Sequence, residues 1–294
     1  MPSFRVLCAV AMAAAILAAW LPADAADLPS ASDLPVVTSF PDPLTMMDGT
    51  KVTSKEDWMT KRRPELQRLF QHYMYGYLPE ATPIRTETHR VKQLFGGKAT
   101  KKEVTIHYGP KGTPPIDLLV VTPNQKKPAP AFVAINFCGN HTALDDPSVA
   151  LTRSWFRGSC PGCEGDKATE AGRGGQKDVW NVEMIIERGY GIAMFYYGDV
   201  DPDKNRPEDW TDGVHPHFMK AGQTTPGKHE WGAIAAWAYG IHRAVDYMVT
   251  DPAIDAKRIA CVGHSRLGKT TLFATALDDR IALAIPHQAG CGGT

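Results

Sequence analysis

The sequence holds no block of like charge. Its 32 Lys and Arg balance 32 Asp and Glu over 294 residues, which removes the basic face that nucleic-acid binders present. Nucleic acid is therefore not an expected partner. One long apolar run is present, Val6 to Trp20. It is too short and wrongly flanked for a permanent membrane span, and no later segment qualifies. Internal repeats and low-complexity tracts are lacking. Cysteine is scarce, with six in all. Cys160 and Cys163 form a Cys-Pro-Gly-Cys pair, but a zinc site would want a second pair or histidines at ligand spacing. A local disulfide or two free loop thiols remain as readings. Asp199-Val-Asp-Pro-Asp203 opens like a calcium loop, yet no Gly stands at its sixth position and Trp210 replaces the closing Glu. His215, His217 and His229 lie in a Pro/Gly-rich loop and read as solvated side chains rather than metal ligands. No metal or cofactor is implied.

The N-terminus carries a different message. Arg5, the apolar run and Ala23-Asp-Ala25 have the order of a secretory signal peptide, with cleavage near Ala25. The mature chain is thus expected to be secreted or periplasmic, where disulfides form. Cys8 leaves with the signal, and Cys261 reads as a buried, inert thiol in mid-strand. The odd remainder fits a chain whose partner cysteine is missing.

Residues 26–58 are rich in Pro, Asp and Ser and read as an extended leader. Ser54 is a plausible cap for a helix from there to about Tyr77, in which Leu66, Leu69, Phe70 and Met74 recur at helical spacing. Strands are expected at 86–95, 102–109 and 116–122, then at 131–137, 191–197, 258–262 and 281–285. Helices are expected at 179–187, along the stripe from Trp231 to Met248, and at 267–278. Strands alternating with helices imply parallel pairing in a layered α/β sheet. An antiparallel start before a parallel core suits an α/β-hydrolase: a three-layer sandwich with a mostly parallel central sheet. The expected division is a signal peptide at 1–25, a leader and helical segment at 26–84, and the hydrolase domain at 85–294.

Chemistry concentrates at Arg258-Ile-Ala-Cys-Val-Gly-His-Ser265-Arg-Leu-Gly-Lys269. An apolar strand runs into Gly263, a polar residue, Ser265 and a helix, which is the layout of a nucleophile elbow. Gly263 frees the turn from a Cβ clash, and Gly268 lets the helix pack close. The bland reading is a serine in an ordinary strand-to-helix turn. Arg266 can offer its backbone N–H to an oxyanion, and its guanidinium can reach a carboxylate or a developing alkoxide. A cation at a helix start opposes the macrodipole, which argues against a merely solvated charge. Lys269, one turn on, can point at the same cleft. The loop Asn136-Phe-Cys-Gly-Asn-His-Thr142 follows strand 131–137, where hydrolases place a second oxyanion donor. A backbone N–H near Cys138 or Gly139 is the candidate, and a turn glycine with polar caps is the equal alternative.

With these residues in view, the chain resembles the glucuronoyl esterases, the fifteenth carbohydrate esterase family. Their elbow reads G-C/H-S-R-x-G-K, and Gly263-His-Ser-Arg-Leu-Gly-Lys269 matches it throughout. Further matches are Asn136 to His141, Arg188-Gly-Tyr-Gly, Tyr196-Tyr-Gly-Asp, Trp231 to Trp237, Asp246-Tyr and Gly290-Cys-Gly-Gly293. The resemblance covers most of residues 40 to 294. It implies an α/β-hydrolase that cleaves 4-O-methyl-glucuronoyl esters linking xylan to lignin, with glucuronoxylan or lignin–carbohydrate esters as substrate. Ser265 would be the nucleophile, Arg266 the oxyanion stabiliser and Lys269 a ligand of the uronate hydroxyls, with no cofactor. Fungal members place the triad glutamate where Gln288 stands here, and the family histidine follows the last strand. His287, the only histidine after Ser265, sits where hydrolases do not place the base. The triad histidine and acid are therefore expected beyond Thr294, in a chain truncated at its C-terminus and inactive alone. An acetyl-xylan or other carbohydrate esterase, and a non-catalytic carbohydrate-binding relative, are the competing readings. The latter would have no need to keep Ser265, Arg266 and Lys269 together.

Overall fold

A computed structural model describes residues 28–204 and 209–290. Residues 1–25, expected to be a signal peptide, and residues 291–294 lie outside them. The chain forms two compact units, one ending at Pro43 and the other running from Leu44. In the first, the described residues hold a single 3-10 turn, Ala31–Asp33, closed by Asp33 N–H donating to the Ser30 carbonyl at 2.9 Å.

The second unit begins with a small turn bridged between Thr45 and Lys51. Helix α1 follows over 55–75, capped as expected by Ser54, whose hydroxyl accepts from Asp57 N–H at 3.0 Å. Two π turns, Trp58–Arg62 and Gln71–Tyr75, interrupt its α-helical course. A π turn closes one residue later than an α turn and rotates the apolar face, and Phe70 and Met74 stand exposed.

Among the described residues seven strands then build one sheet: β1 (Arg85–Leu94), β2 (Ala99–His107), β3 (Ile116–Pro123), β4 (Ala129–Asn136), β7 (Gly191–Tyr196), β8 (Ile254–His264) and β9 (Ile281–His287). Between β4 and β7 lies the separate two-residue hairpin β5–β6, Cys163–Glu164 with Lys167–Ala168. The sheet order is β1-β2-β3-β7-β4-β8-β9. Pairings are antiparallel from β1 through β3 to β7 and parallel from β7 through β4 and β8 to β9. The parallel part carries the chemistry, because parallel strands present their carboxyl ends along one edge. Continuous burial of β7, with all six residues covered, shows why its sequence is an unbroken apolar run.

The expected helix at 179–187 is two helices, α2 (Lys177–Trp180) and α3 (Val182–Glu187). Asn181 breaks them at φ 41°, ψ 54°, and its side chain caps α3 through Met184 N–H. Asparagine tolerates this left-handed geometry better than most residues. A single turn, α4 (His215–Phe218), precedes α5 (Ala233–Met248), which is buried almost throughout. Helix α6 (Arg266–Leu277) follows β8. His242 on α5 bonds the Ala274 carbonyl of α6 at 2.9 Å. Helix α1 docks on the same helix, with Tyr75 and Phe273 ring centroids 4.6 Å apart. Among the described residues β9 is the sheet's edge next to β8, with Leu283 exposed.

Candidate active site

Strand β8 ends at His264, and Ser265 stands between it and α6 at φ 58°, ψ −130°. That conformation is costly for a residue with a Cβ, so the packing around it must hold it in place. Three contacts do so. Ser265 N–H donates to the His287 carbonyl at 2.9 Å, and the Ser265 carbonyl accepts from Gly268 N–H at 2.7 Å. The third is steric: a Cβ on Gly263 would lie 2.3 Å from the Leu267 carbonyl oxygen, so only glycine permits the approach of α6 to its own strand. Gly268 faces the strand as expected and a second neighbour besides. A side chain there would meet the Gly263 carbonyl oxygen of β8 at 3.3 Å and Ala289 at 3.2 Å, so its bareness also admits the segment after β9. Ser265 is partly exposed, and its side chain makes no capping bond to α6.

Arg266 opens α6, against the helix dipole. Its Nη1 meets Asp203 Oδ2 at 2.6 Å, and its guanidinium lies 5.7 Å from the Phe137 ring centroid. A carboxylate partner and an aromatic platform together fix the guanidinium plane, while its remaining N–H groups keep donor capacity. The Phe137 contact also brings the loop after β4 to the elbow, as the sequence predicted. Arg157 lies over Phe137 too, at 5.8 Å. Lys269 follows one turn later, its Cε 3.9 Å from where a Gly290 Cβ would stand.

Within the β4 loop, Gly139 adopts φ 75°, ψ 153° and starts a 3-10 turn over Asn140–Thr142. Cys138 is half of a disulfide to Cys160, with Cα atoms 5.3 Å apart. This corrects both readings of the Cys-Pro-Gly-Cys pair, a local disulfide or two free loop thiols, because Cys160 bonds Cys138 instead. Cys163 is free and donates weakly to the Phe156 carbonyl at 3.3 Å. Cys261 is the buried thiol foreseen, pushed up to about 12 by burial. The disulfide ties the oxyanion-loop candidate to a segment 22 residues on. Closing a loop of that length stabilises a fold by about 3 kcal/mol. Reduction with dithiothreitol is expected to lower the melting temperature by roughly 5–10 °C. An unchanged melting curve after confirmed reduction would count against this structural role.

The aspartates of 199–203 turn to three separate partners. Asp199 accepts from Ser154 Oγ at 2.8 Å, Asp201 meets His215 Nε2 at 2.9 Å, and Asp203 holds Arg266. The reading of His215 as solvated is corrected by the same contact. His215 is 1% exposed, packed edge-on against Trp210 and Trp231, because the loop folds back under α5. His229 stacks on His72 at 3.9 Å. His141 is fully buried and held at about 4, mainly by desolvation, so it is neutral at physiological pH. A polar cleft of about 590 Å³, lined by Asp117, Asn140, Arg153 and Asp199, opens elsewhere; Ser265 does not line it. That the Arg266 guanidinium can reach a carboxylate was foreseen; that the carboxylate is Asp203, and that Phe137 forms a platform beside it, was not.

A serine strained onto the turn between a parallel strand and its helix, in a sheet of this order, defines an α/β-hydrolase. The fungal glucuronyl esterase family matches residues 223–294. A carbohydrate esterase from an unknown prokaryotic organism is 46% identical over 259 residues, covering 87% of this chain and 59% of that protein. The 4-O-methyl-glucuronoyl methylesterase of Podospora anserina is 28% identical, covering 93% of this chain and 45% of that protein. Among solved structures, a promiscuous family 15 carbohydrate esterase from a marine bacterial metagenome superimposes with TM-score 0.78 and 44% identity, over 92% of this chain and 66% of that one. The glucuronoyl esterase from Solibacter usitatus gives 0.76 and 39%, over 85% and 63%. The chain belongs to the glucuronoyl esterase family, carbohydrate esterase family 15. It spans about three fifths of the prokaryotic relative and under half of the fungal one.

Proposed function

We propose that this protein hydrolyses 4-O-methyl-glucuronoyl esters of plant cell-wall glucuronoxylan, including those to lignin alcohols, by a serine mechanism. The observation that carries the reading is the backbone of Ser265, held at φ 58° between Gly263 and α6. Strain of this kind is maintained where it positions a reacting atom. A general base takes the Ser265 proton as Oγ attacks the ester carbonyl. The Arg266 backbone N–H and guanidinium meet the tetrahedral oxyanion, and its collapse expels the alcohol with that proton. Water then attacks the acyl-enzyme to release the uronate and restore Ser265. Lys269 binds sugar hydroxyls of the uronate. The backbone N–H groups at Cys138 and Gly139 are candidates for a second oxyanion donor. The likeness to the Podospora 4-O-methyl-glucuronoyl methylesterase and the Solibacter glucuronoyl esterase supports the substrate class.

Arg266 and Lys269 are expected to separate kinetically on a methyl glucuronate ester. Arg266→Ala should lower kcat by roughly 10²-fold, the usual cost of a lost oxyanion donor. Lys269→Ala should appear mainly in KM, because ground state and transition state share that contact. Asp203→Asn should follow Arg266→Ala in direction, since it releases the guanidinium from its 2.6 Å anchor. Identical signatures for the Arg266 and Lys269 variants, or faster turnover of acetylated xylan than of the uronate ester, would overturn the assignment.

Export to the periplasm or beyond forms part of the proposal. The Arg5-to-Ala25 pattern and the Cys138–Cys160 disulfide both suit an oxidising compartment. Among the described residues no helix is long and apolar enough to cross a membrane. N-terminal sequencing of the mature protein should begin near Ala26.

A further inference from the structure

Strands β8 and β9 run parallel and in register up to a last matched pair, His264 with His287. Neighbouring positions on adjacent strands project to the same face. Both imidazoles are exposed, with Nδ1 atoms 3.1 Å apart, ring centroids 5.0 Å apart and planes inclined by 40°. Two neutral imidazoles can fill such a gap with a single shared proton, one donating and one accepting. A metal ion uses both lone pairs at once.

We propose that His264 and His287 form a bidentate site for a transition-metal dication of the Zn²⁺ class, set beside the nucleophile. Zinc–imidazole bonds are 2.0–2.1 Å long, and nitrogens 3.1 Å apart then subtend roughly 100° at the metal, close to tetrahedral. Neutral imidazole is a ligand of choice for zinc, copper and nickel and a poor one for magnesium or calcium. Exposure leaves two positions to solvent. Among the described residues no group of three or more His, Cys, Asp or Glu gathers around a common point, so the affinity belongs to a two-ligand site and not to a closed structural one.

The location gives the site its meaning. His264 immediately precedes Ser265, and the His287 carbonyl accepts the Ser265 N–H at 2.9 Å. A metal clamped across the two side chains ties the ends of β8 and β9 together at the elbow. The positive charge of Arg266 next in sequence is matched by Asp203, which limits its repulsion of the dication.

Calorimetric titration of the metal-stripped protein with zinc chloride at pH 7.5 tests this without reference to esterase activity. One zinc per chain is expected, with a dissociation constant of roughly 1–100 µM. His264→Gln and His287→Gln should each weaken it at least 10-fold, and His89→Gln, on exposed β1, should leave it unchanged. Zinc binding that survives both single variants, or no stoichiometric uptake, overturns the proposal. Imidazole resonances in the unmodified protein provide a check that needs no variant. Zinc should shift those of His264 and His287 first; first shifts at any other histidine would contradict the site.

Discussion

Ser265→Ala is expected to leave less than about one per cent of glucuronoyl ester hydrolysis in the active enzyme. A serine hydroxyl that attacks an acyl carbon contributes several orders of magnitude, and water positioned by the remaining groups replaces little of it. The fold should be indifferent to the change, because alanine meets the same positive-φ strain as serine. Ser265→Gly makes the complementary point. Glycine adopts φ 58°, ψ −130° freely, so this inactive variant should be more stable than the parent by about 1 kcal/mol. A protein that loses activity on either substitution and gains stability only with glycine has its strain where its chemistry is. Activity above one per cent in Ser265→Ala, measured in chemical denaturation-matched samples, would remove the nucleophile assignment.

The second large effect lies in the pH dependence of stability. Asp199 is buried in the 3-10 turn Tyr197–Asp199 that follows β7, and its carboxyl is pushed up to about 7, first by desolvation and then by the charge of Asp117. Bonds from Ser154, the Asp117 backbone and Thr152 pull in the opposite direction and do not compensate. The folded value lies above the unfolded value of 3.8. Between about pH 4 and 7 the native state therefore holds a proton that the unfolded chain has released, and stability falls as pH rises through that window. Three units correspond to a loss on the order of 4 kcal/mol, complete by about pH 8. His141 acts with the other sign. Its folded value of about 4 lies below the unfolded 6.5, so stability falls as pH drops from 6.5 toward 4. Comparing the parent with Asp199→Asn cancels the His141 contribution. Urea unfolding at pH 5 and pH 8 should show the parent losing roughly 2–4 kcal/mol more than the variant over that interval. Parallel profiles would show that Asp199 is ionised in the fold throughout.

Much of the sheet was legible because its signals are local. Strand β7 announces itself as six consecutive apolar residues, and the elbow strand and α6 are set by Gly263, Ser265 and Gly268 within a few positions. The interruption at Asn181 escaped because an apolar stripe continues through it while the backbone does not. The site divides along the same line. Ser265, Arg266 and Lys269 sit within five residues and carry a recognisable spacing. Asp203 approaches Arg266 from 63 positions away, and Phe137 from further still, so neither contact leaves a periodic trace. Cysteine counting showed that a bridge was permitted and could not say that Cys160 would choose Cys138 over its neighbour Cys163. His215 looked solvated because its flanks are rich in Pro and Gly. Its burial depends on Asp201 offering a partner and on Trp210 and Trp231 closing over the ring.

The central claim is that Ser265 is the residue acylated in turnover. It is tested most directly by trapping the active enzyme with an alkyl fluorophosphonate and locating the adduct by peptide mass spectrometry. The account predicts one phosphonylated residue per chain, Ser265, with labelling slowed by methyl 4-O-methyl-glucuronate and abolished in Ser265→Ala. Stoichiometric labelling at another residue, with hydrolysis lost and Ser265 unmodified, would contradict it.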